Sequence, residues 1–497
     1  MDKIIRKIRN VIIGFLSLIL IGNTFLLSAQ AAFVDDSSFT NGEFSQSEAE
    51  REILFSSGTD EDISNFNDGT ETDNSENSSM VIDVILNEGY TVEMFEQIIN
   101  EYYPEVTISS TPEIQLIHLT LPSSIDENSF FTDKQIQKFI YVKGELPNIS
   151  VPQHPLSSVD LNKLNLPTCK QFRSRMTNEE LFDAMAWHVD EVTNDKMSLN
   201  IAAGEGARIG IIDSGVDIDH PILSDKINTA VSRSYVPEES DIGDQNGHGT
   251  GVAGVVAQIA PEAEMVVYKV IGADTGESAW TIDAIIQAAN DQCKIINTSL
   301  GTYKCEDIES ELLTIEAFER AIEYAETKDC IVVASAGNNS LDLDQYYELE
   351  HIKHLPGGID NAITVSARHE TALASYSNFG SEIDLCAPGG DLAYTEGMLD
   401  LSQWIYCLFP TNMNNGMESL GVPQGYSFNY GTSLAAPIVT ASLADVLSYL
   451  KDSQADVSMQ SVLEAIVNGV DDLGASGKDT YFGSGTVNLY KSLSNLG

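Results

Sequence analysis

Six short apolar runs dominate the second half of the sequence: ARIGIIDSG, EMVVYKVIG, KIINTSLG, CIVVASAGN, AITVSA and EIDLCAPG, beginning at residues 207, 264, 294, 330, 362 and 382. Their apolar residues are consecutive, not alternate, as in strands buried on both faces, and each run stops at a polar residue or a glycine. Between them lie helical patterns such as TIDAIIQAAND and ELLTIEAFERAIEYAET, with apolar residues three and four apart. This alternation predicts an α/β fold with a parallel, doubly wound sheet covered by helices. In such a sheet chemistry gathers outside the carboxyl ends of the strands. The residues at which the runs stop are therefore the candidates for function.

Asp213 ends the first run, where an acid also serves to cap the following turn. His248 lies in NGHGTGVAGVVAQIAP between Gly247 and Gly249, which permit the close backbone approach that a buried imidazole acting as a base requires. Asn338 ends CIVVASAGN, as a turn residue or as an amide that donates to an oxyanion. Ser433 lies in NYGTSLAAPIVTASLADVL, at the start of a helix over residues 434–450 that is apolar on nearly every face and so belongs inside the core. Thr432 and Ser433 there are either caps or, given a base and a carboxylate in reach, the site of a nucleophile.

Asp213, His248 and Ser433 follow one another at spacings of 35 and 185 residues, the chain order of the subtilisin triad. DSGVDIDHP, NGHGTGVAG, SLG at 299–301, SAGN at 335–338 and GTSLAAP at 431–437 resemble the corresponding motifs of the subtilisin-like serine proteases, over about residues 180–492. The resemblance implies an endopeptidase in which Ser433 is nucleophile, His248 the base and Asp213 its orienting acid. Asn338 would donate to the oxyanion, and Ser299, Leu300 and Gly301 would pair with the substrate backbone. The sequence departs from the family at Gly251, where a His is usual. It departs again at Ile222 and in AQIAPEAEM, where the acid and the loop of the tight calcium site are missing, so no metal or cofactor is expected. An extended SLDLDQYYELEHIKHL between Asn338 and Pro356 alters the substrate pocket, placing His354 near a position usually held by a pocket-lining Gly.

AWHVDEVTND, HLPGGIDNAITVSA, SYSNFGSEIDLCAPGGD and FGSGTVNLYKSL are more similar to the lantibiotic leader peptidases than to degradative subtilases. That resemblance implies removal of a leader from a precursor peptide, typically after a basic residue. Asp342 and Asp344 follow Asn338 closely enough to line the pocket for an Arg. A broad extracellular degradative protease and an inactive peptide-binding homologue are the alternatives.

The remainder of the 497 residues is organised around this catalytic part, assigned to 179–497. MDKIIRKIRN, the apolar VIIGFLSLILIGNTFLL and SAQAA read as a secretory signal over residues 1–31, with a membrane anchor as the alternative. Residues 32–80 are acidic and polar and have too little apolar content to order themselves. Residues 81–150 read strand, helix, strand, strand, a small α+β module in the position of an inhibitory prosegment. Residues 151–178 are a linker with a maturation site near FRSRMTN, after Arg173 or Arg175. The chain has 26 Lys+Arg against 75 Asp+Glu, and beyond residue 175 it has 14 against 49, a net of −35. Such a surface repels nucleic acid and steers in a peptide that is cationic near the cut, or else only keeps an exported protein soluble. The six cysteines have no metal-ligand spacing, and Cys293 and Cys330 read as buried thiols. With no apolar tail in YKSLSNLG, the expectation is a secreted, extracellular monomer with no stable anchor once the signal is removed.

Overall fold

The computed structural model describes residues 79–156, 164–165 and 176–497, leaving out positions 238, 274, 396 and 454–456. The apolar N-terminal stretch, nearly all of the acidic segment, Cys169 and the Arg173 and Arg175 sites lie outside the described residues.

The first module is a four-stranded antiparallel sheet with a helix on one face. Its strands β1 (Met80–Leu86), β2 (Thr107–Thr111), β3 (Leu116–Leu121) and β4 (Ile140–Gly144) lie in the order β2-β3-β1-β4. Helix α1 (Val92–Tyr102) starts at Thr91, whose side chain accepts from Met94 N at 3.4 Å, and buries Val92, Phe95 and Ile99, spaced three and four apart. Alternation along β1 sends Ile82, Val84 and Leu86 toward that helix and Ile85 to the opposite face. The sequence pattern gives no signal for β2, because its residues TISST are polar and half-exposed; pairing with β3 makes it a strand.

The catalytic part is built on β5 (Arg208–Asp213), β6 (Glu264–Lys269), β7 (Ile295–Thr298), β8 (Ile331–Ser335), β9 (Ala362–His369) and β10 (Leu385–Pro388). These are the six expected runs, and they pair in parallel in the order β6-β5-β7-β8-β9-β10. Helices α2 (His248–Ile259), α3 (Ser278–Asn290), α4 (Glu309–Thr327) and α5 (Thr432–Ser453) cover the sheet. Ile209 and Ile211 of β5 pack with α2 and α5, whereas Ile212 packs with α3 and α4, so neighbouring residues enter opposite cores. That is why the runs are apolar at consecutive positions. From β5 the chain steps to β6, then returns past β5 to β7. The direction reverses between β5 and β7, so the switch-point crevice opens at the carboxyl ends of these strands, beside Asp213 and Ser299.

The outer face of the first module seats on α3 and α4. Ile85, Ile114, Leu116 and Val142 share a core with Ile282, Leu313 and Phe318. Arg320 of α4 donates to Leu86 O at 3.4 Å, Ile114 O at 3.2 Å and Gln115 Oε1 at 3.1 Å, and Thr111 Oγ1 donates to Asp283 Oδ1 at 2.8 Å. His118 Nδ1 lies 2.6 Å from Asp83 Oδ1, close to Asp283 across the junction. Burial alone would lower its pKa, but the Asp83 hydrogen bond and charge, with Asp283 beyond, hold it above the ordinary value. A raised folded pKa gives stability that is complete below the unfolded value and is lost as pH rises through the folded one. The melting temperature of the unprocessed chain should therefore fall more steeply between pH 6 and 9 with His118 present than in a His118→Gln variant, both carrying Ser433→Ala. Parallel curves would exclude this coupling.

Candidate active site

Asp213 is fully buried at the end of β5 and His248 opens α2, bringing two residues 35 apart in sequence side by side. His248 Nδ1 donates to Asp213 Oδ1 at 2.8 Å, and Ser214 N donates to the same oxygen at 2.7 Å. The carboxylate can only accept, so Nδ1 carries the proton and Nε2 is the basic edge. Both glycines beside His248 are required by contact. A Cβ at Gly249 would collide with Gly215 O, and Gly247, at φ +99°, leaves no room for one beside the Phe409 ring. Burial would depress the His248 pKa, but Asp213 and the more distant Asp244 hold it above the ordinary imidazole value.

Ser433 stands in the first turn of α5, where the helix supplies no acceptor for its N–H. Pro437 lies four residues on and removes the donor that Ser433 O would otherwise receive. Ser299 Oγ donates to that carbonyl instead, at 2.8 Å, while Ser433 Oγ donates back to Ser299 O at 3.2 Å. Behind them Asn297 Nδ2 donates to Ser299 Oγ at 2.9 Å, and Thr440 Oγ1 donates to Asn297 Oδ1 at 2.9 Å. Asn338 is exposed; its Oδ1 accepts from Thr432 N at 2.9 Å and Thr432 Oγ1 at 2.8 Å, which directs the amide NH2 outward. Leu300 is buried in the second core, between the buried Ser299 and the half-buried Gly301.

Sequence reasoning missed Asp244. Its carboxylate accepts from Ser214 Oγ, the N–H groups of Asn246, Gly247 and Thr250, and Thr250 Oγ1, at 2.6–3.0 Å. These bonds fix the turn that delivers His248. An acid four residues ahead of a His that opens a helix is the Asx signal that marks it. The preceding Gly243 O accepts from Lys269 Nζ at 2.5 Å, and that wholly buried cation also pairs with Glu239 at 2.5 Å.

Residues 147–156 run along this site. Asn148 bridges Glu277 antiparallel, with Ile149 N donating to Gly276 O at 2.8 Å and Ser278 N donating to Pro147 O at 2.9 Å. Asn246 Nδ2 donates to Pro152 O at 2.8 Å. His154 Nε2 lies 3.0 Å from Ser427 Oγ, its ring 5.3 Å from that of Phe409, and burial and the nearby His248 push its pKa down to about 4. The segment, held at 276–278 by one bridge and two main-chain hydrogen bonds, thus passes close to His248, and residues 151–156, expected as the start of a linker, belong to it.

Of the two acids expected to line the pocket, Asp342 caps a helix and Asp344 is bonded to Ser381. Asp342 is the N-cap of helix Leu343–Glu350 and accepts from Gln345 N at 3.1 Å. Both oxygens of Asp344 accept from Ser381 N at 2.9 Å, and Ser381 Oγ donates to Oδ1 at 2.5 Å. The stretch after Asn338 forms that helix and a strand, Ile352–Leu355, which pairs with Thr302–Cys305 and carries His354 inward. Cys293 and Cys330 are buried free thiols, with Cys330 Sγ donating to Cys293 O at 2.7 Å.

If Asp244 contributes to the charge around His248, NMR titration of the imidazole in the Ser433→Ala protein will give a pKa above 6.5. Asp244→Asn will lower it, since a negative charge is removed. A value unchanged in Asp244→Asn would refute that role.

Comparison with known proteins agrees with this geometry. Residues 204–485 match the model of the Subtilase family. The chain is 27% identical over 431 residues to the epidermin leader peptide-processing serine protease of Staphylococcus epidermidis, covering 74% of this chain and 91% of that protein. It is 31% identical over 307 residues to thermitase of Thermoactinomyces vulgaris, covering 59% and 91%. The crystal structure of a lanthipeptide protease superposes with a TM-score of 0.62 at 31% identity, covering 65% of this chain and 98% of that one. With a family match over more than half its length and a buried Asp-His pair at the switch point, the chain belongs to the subtilase family of serine peptidases.

Proposed function

We propose that this chain is the precursor of an exported serine endopeptidase that removes the leader from a lantibiotic-type precursor peptide. The observation that carries the chemistry is the 2.8 Å bond between His248 Nδ1 and Asp213, set at the strand ends beside Ser299, to which Ser433 is bonded. Ser433 Oγ leaves Ser299 O, turns to His248 Nε2 and attacks the scissile carbonyl as its proton passes to the imidazole. Asp213 stabilises the imidazolium. The oxyanion is received by Asn338 Nδ2 and Ser433 N–H, and losing one such donor costs about 2.7–4 kcal/mol of barrier. The imidazolium then protonates the leaving amine, and water, deprotonated by His248, releases the acyl group. The leader-processing role is supported by the named activity of the Staphylococcus epidermidis relative, matched across 91% of its length.

Precursor status is supported by the segment at 147–156, whose main chain is bonded at Gly276, Ser278 and Asn246 and which passes close to His248. Its Pro152 carbonyl is held by Asn246, and two of its peptide bonds, before Pro152 and before Pro155, are imides. The maturation site expected near FRSRMTN lies beyond this proline-bounded stretch. Purified Ser433→Ala should keep its N-terminal module indefinitely by mass spectrometry, while wild type releases it and cuts a leader-bearing precursor at one bond without degrading denatured casein. Loss of residues 33 to about 175 from pure Ser433→Ala would end the self-processing reading, and rapid casein digestion would favour a degradative role.

Ile222 takes the place of an acid of the family's tight calcium site and packs against the main core. A cation at 100 times its Kd would contribute about 2.7 kcal/mol. We expect EDTA to leave the melting temperature of the mature enzyme nearly unchanged; a drop equivalent to that energy would refute the absence of a tight site.

A further inference from the structure

Resting on that catalytic reading, the geometry points to His354 as the residue that sets specificity, selecting a substrate whose side chain before the scissile bond ends in an oxygen acceptor, Gln or Glu. In a strand-paired substrate with its carbonyl at Asn338, this side chain descends between the ends of β7 and β8, walled by Gly301 and Gly337. His354 reaches this space from the strand Ile352–Leu355 and is 3% exposed. A Cβ at Gly301 would collide with its Nε2, and one at Gly337 would stand 3.3 Å from the same atom. The Nε2 edge therefore closes the pocket between its two glycine walls.

The polar groups around the ring leave His354 as the donor. Tyr303, its ring centroid 5.0 Å from that of His354, donates its hydroxyl proton to Asn339 Oδ1 at 2.8 Å and accepts from Asn378 Nδ2 at 2.7 Å. Asn378 also donates to Ala336 O at 2.8 Å, and its Oδ1 accepts from the N–H groups of Asn339 and Leu341, both at 3.0 Å. His354 Nδ1 is buried without a hydrogen-bond partner among the described residues. A buried N–H left unpaired costs more than a bare ring nitrogen, so the proton of the neutral imidazole belongs on Nε2, toward the substrate. Burial lowers the His354 pKa to about 4, so the ring is neutral and carries a single N–H to donate. Asp342 accepts from Gln345 N, and Asp344 from Ser381 N and Oγ. A side chain of Gln or Glu length brings one oxygen to Nε2–H.

The test is cleavage by the mature enzyme of four matched peptides with Gln, Glu, Leu or Arg before the scissile bond, Ser433→Ala serving as the catalytic blank. We expect kcat/KM for Gln and Glu at least tenfold above Leu and Arg, with the Gln to Glu ratio showing whether amide or carboxylate is favoured. His354→Phe keeps the ring and removes the donor, and should abolish the advantage while Leu is still cut; His354→Gln restores a donor and should retain part of it. Fastest cleavage of Arg or Leu by wild type overturns the assignment without any variant, as does a preference untouched in His354→Phe. Failure of wild type to cut any peptide, with no difference from Ser433→Ala, overturns the endopeptidase reading itself.

Discussion

The site depends on one hydroxyl that fills a gap left by a proline. Pro437 gives the first turns of α5 a fixed backbone but leaves Ser433 O without its helical donor, in a region where a buried carbonyl left unpaired costs about 1–3 kcal/mol. Ser299 Oγ supplies the missing bond, and is itself supplied by Asn297 and, behind it, Thr440. The end of the central strand β7 and the start of the central helix are thereby locked together. Ser433 is positioned from the end of β7, so a substitution anywhere along this chain loosens it through one buried network.

Electrostatics are organised by the scarcity of cations. A catalytic part with a net of −35 repels itself over its surface, yet it places several of its few basic groups inside. Lys269 is wholly buried between Glu239 and Gly243 O, holding the loop that leads to Asp244 and His248. Arg368, also buried, pairs with Glu191 and donates to Thr486 Oγ1 at 2.6 Å, joining the end of β9 to the segments before β5 and after α5. Removing one partner from such a pair strands a charge in low dielectric, at about 3–5 kcal/mol. These cations act as fasteners, and the acids around the cleft are left to solvent and to capping.

The first module and the segment after it meet the catalytic part by two different physical modes. The module buries one face of its sheet on α3 and α4, a side-chain contact pinned by Arg320. The 147–156 segment uses main-chain hydrogen bonds at Gly276 and Ser278, which do not depend on its side chains. Its attachment to the module keeps a segment held by few bonds of its own beside His248.

The sequence by itself determined the parallel sheet, because strands buried on both faces must be apolar at every position, and it determined the positions of Asp213, His248, Asn338 and Ser433, because polar residues at strand ends and beside glycines stand out from such runs. It also carried the first module except β2, whose polar residues become a strand only through pairing with β3. Tertiary structure decided what depends on partners distant in sequence. Asp342 and Asp344 are the same two carboxylates whatever they face, and only Gln345 makes the first a helix cap and only Ser381 ties the second to the loop after Gly380. Asp244 gained its role from five converging donors, and residues 147–156 came beside His248 by a bridge to Glu277, about 130 positions away. His354, which the sequence placed only near the pocket, closes it because Gly301 and Gly337, 53 and 17 residues earlier, leave the space its ring fills. Local pattern encodes burial and backbone conformation; what a polar side chain does is set by the groups that fold against it.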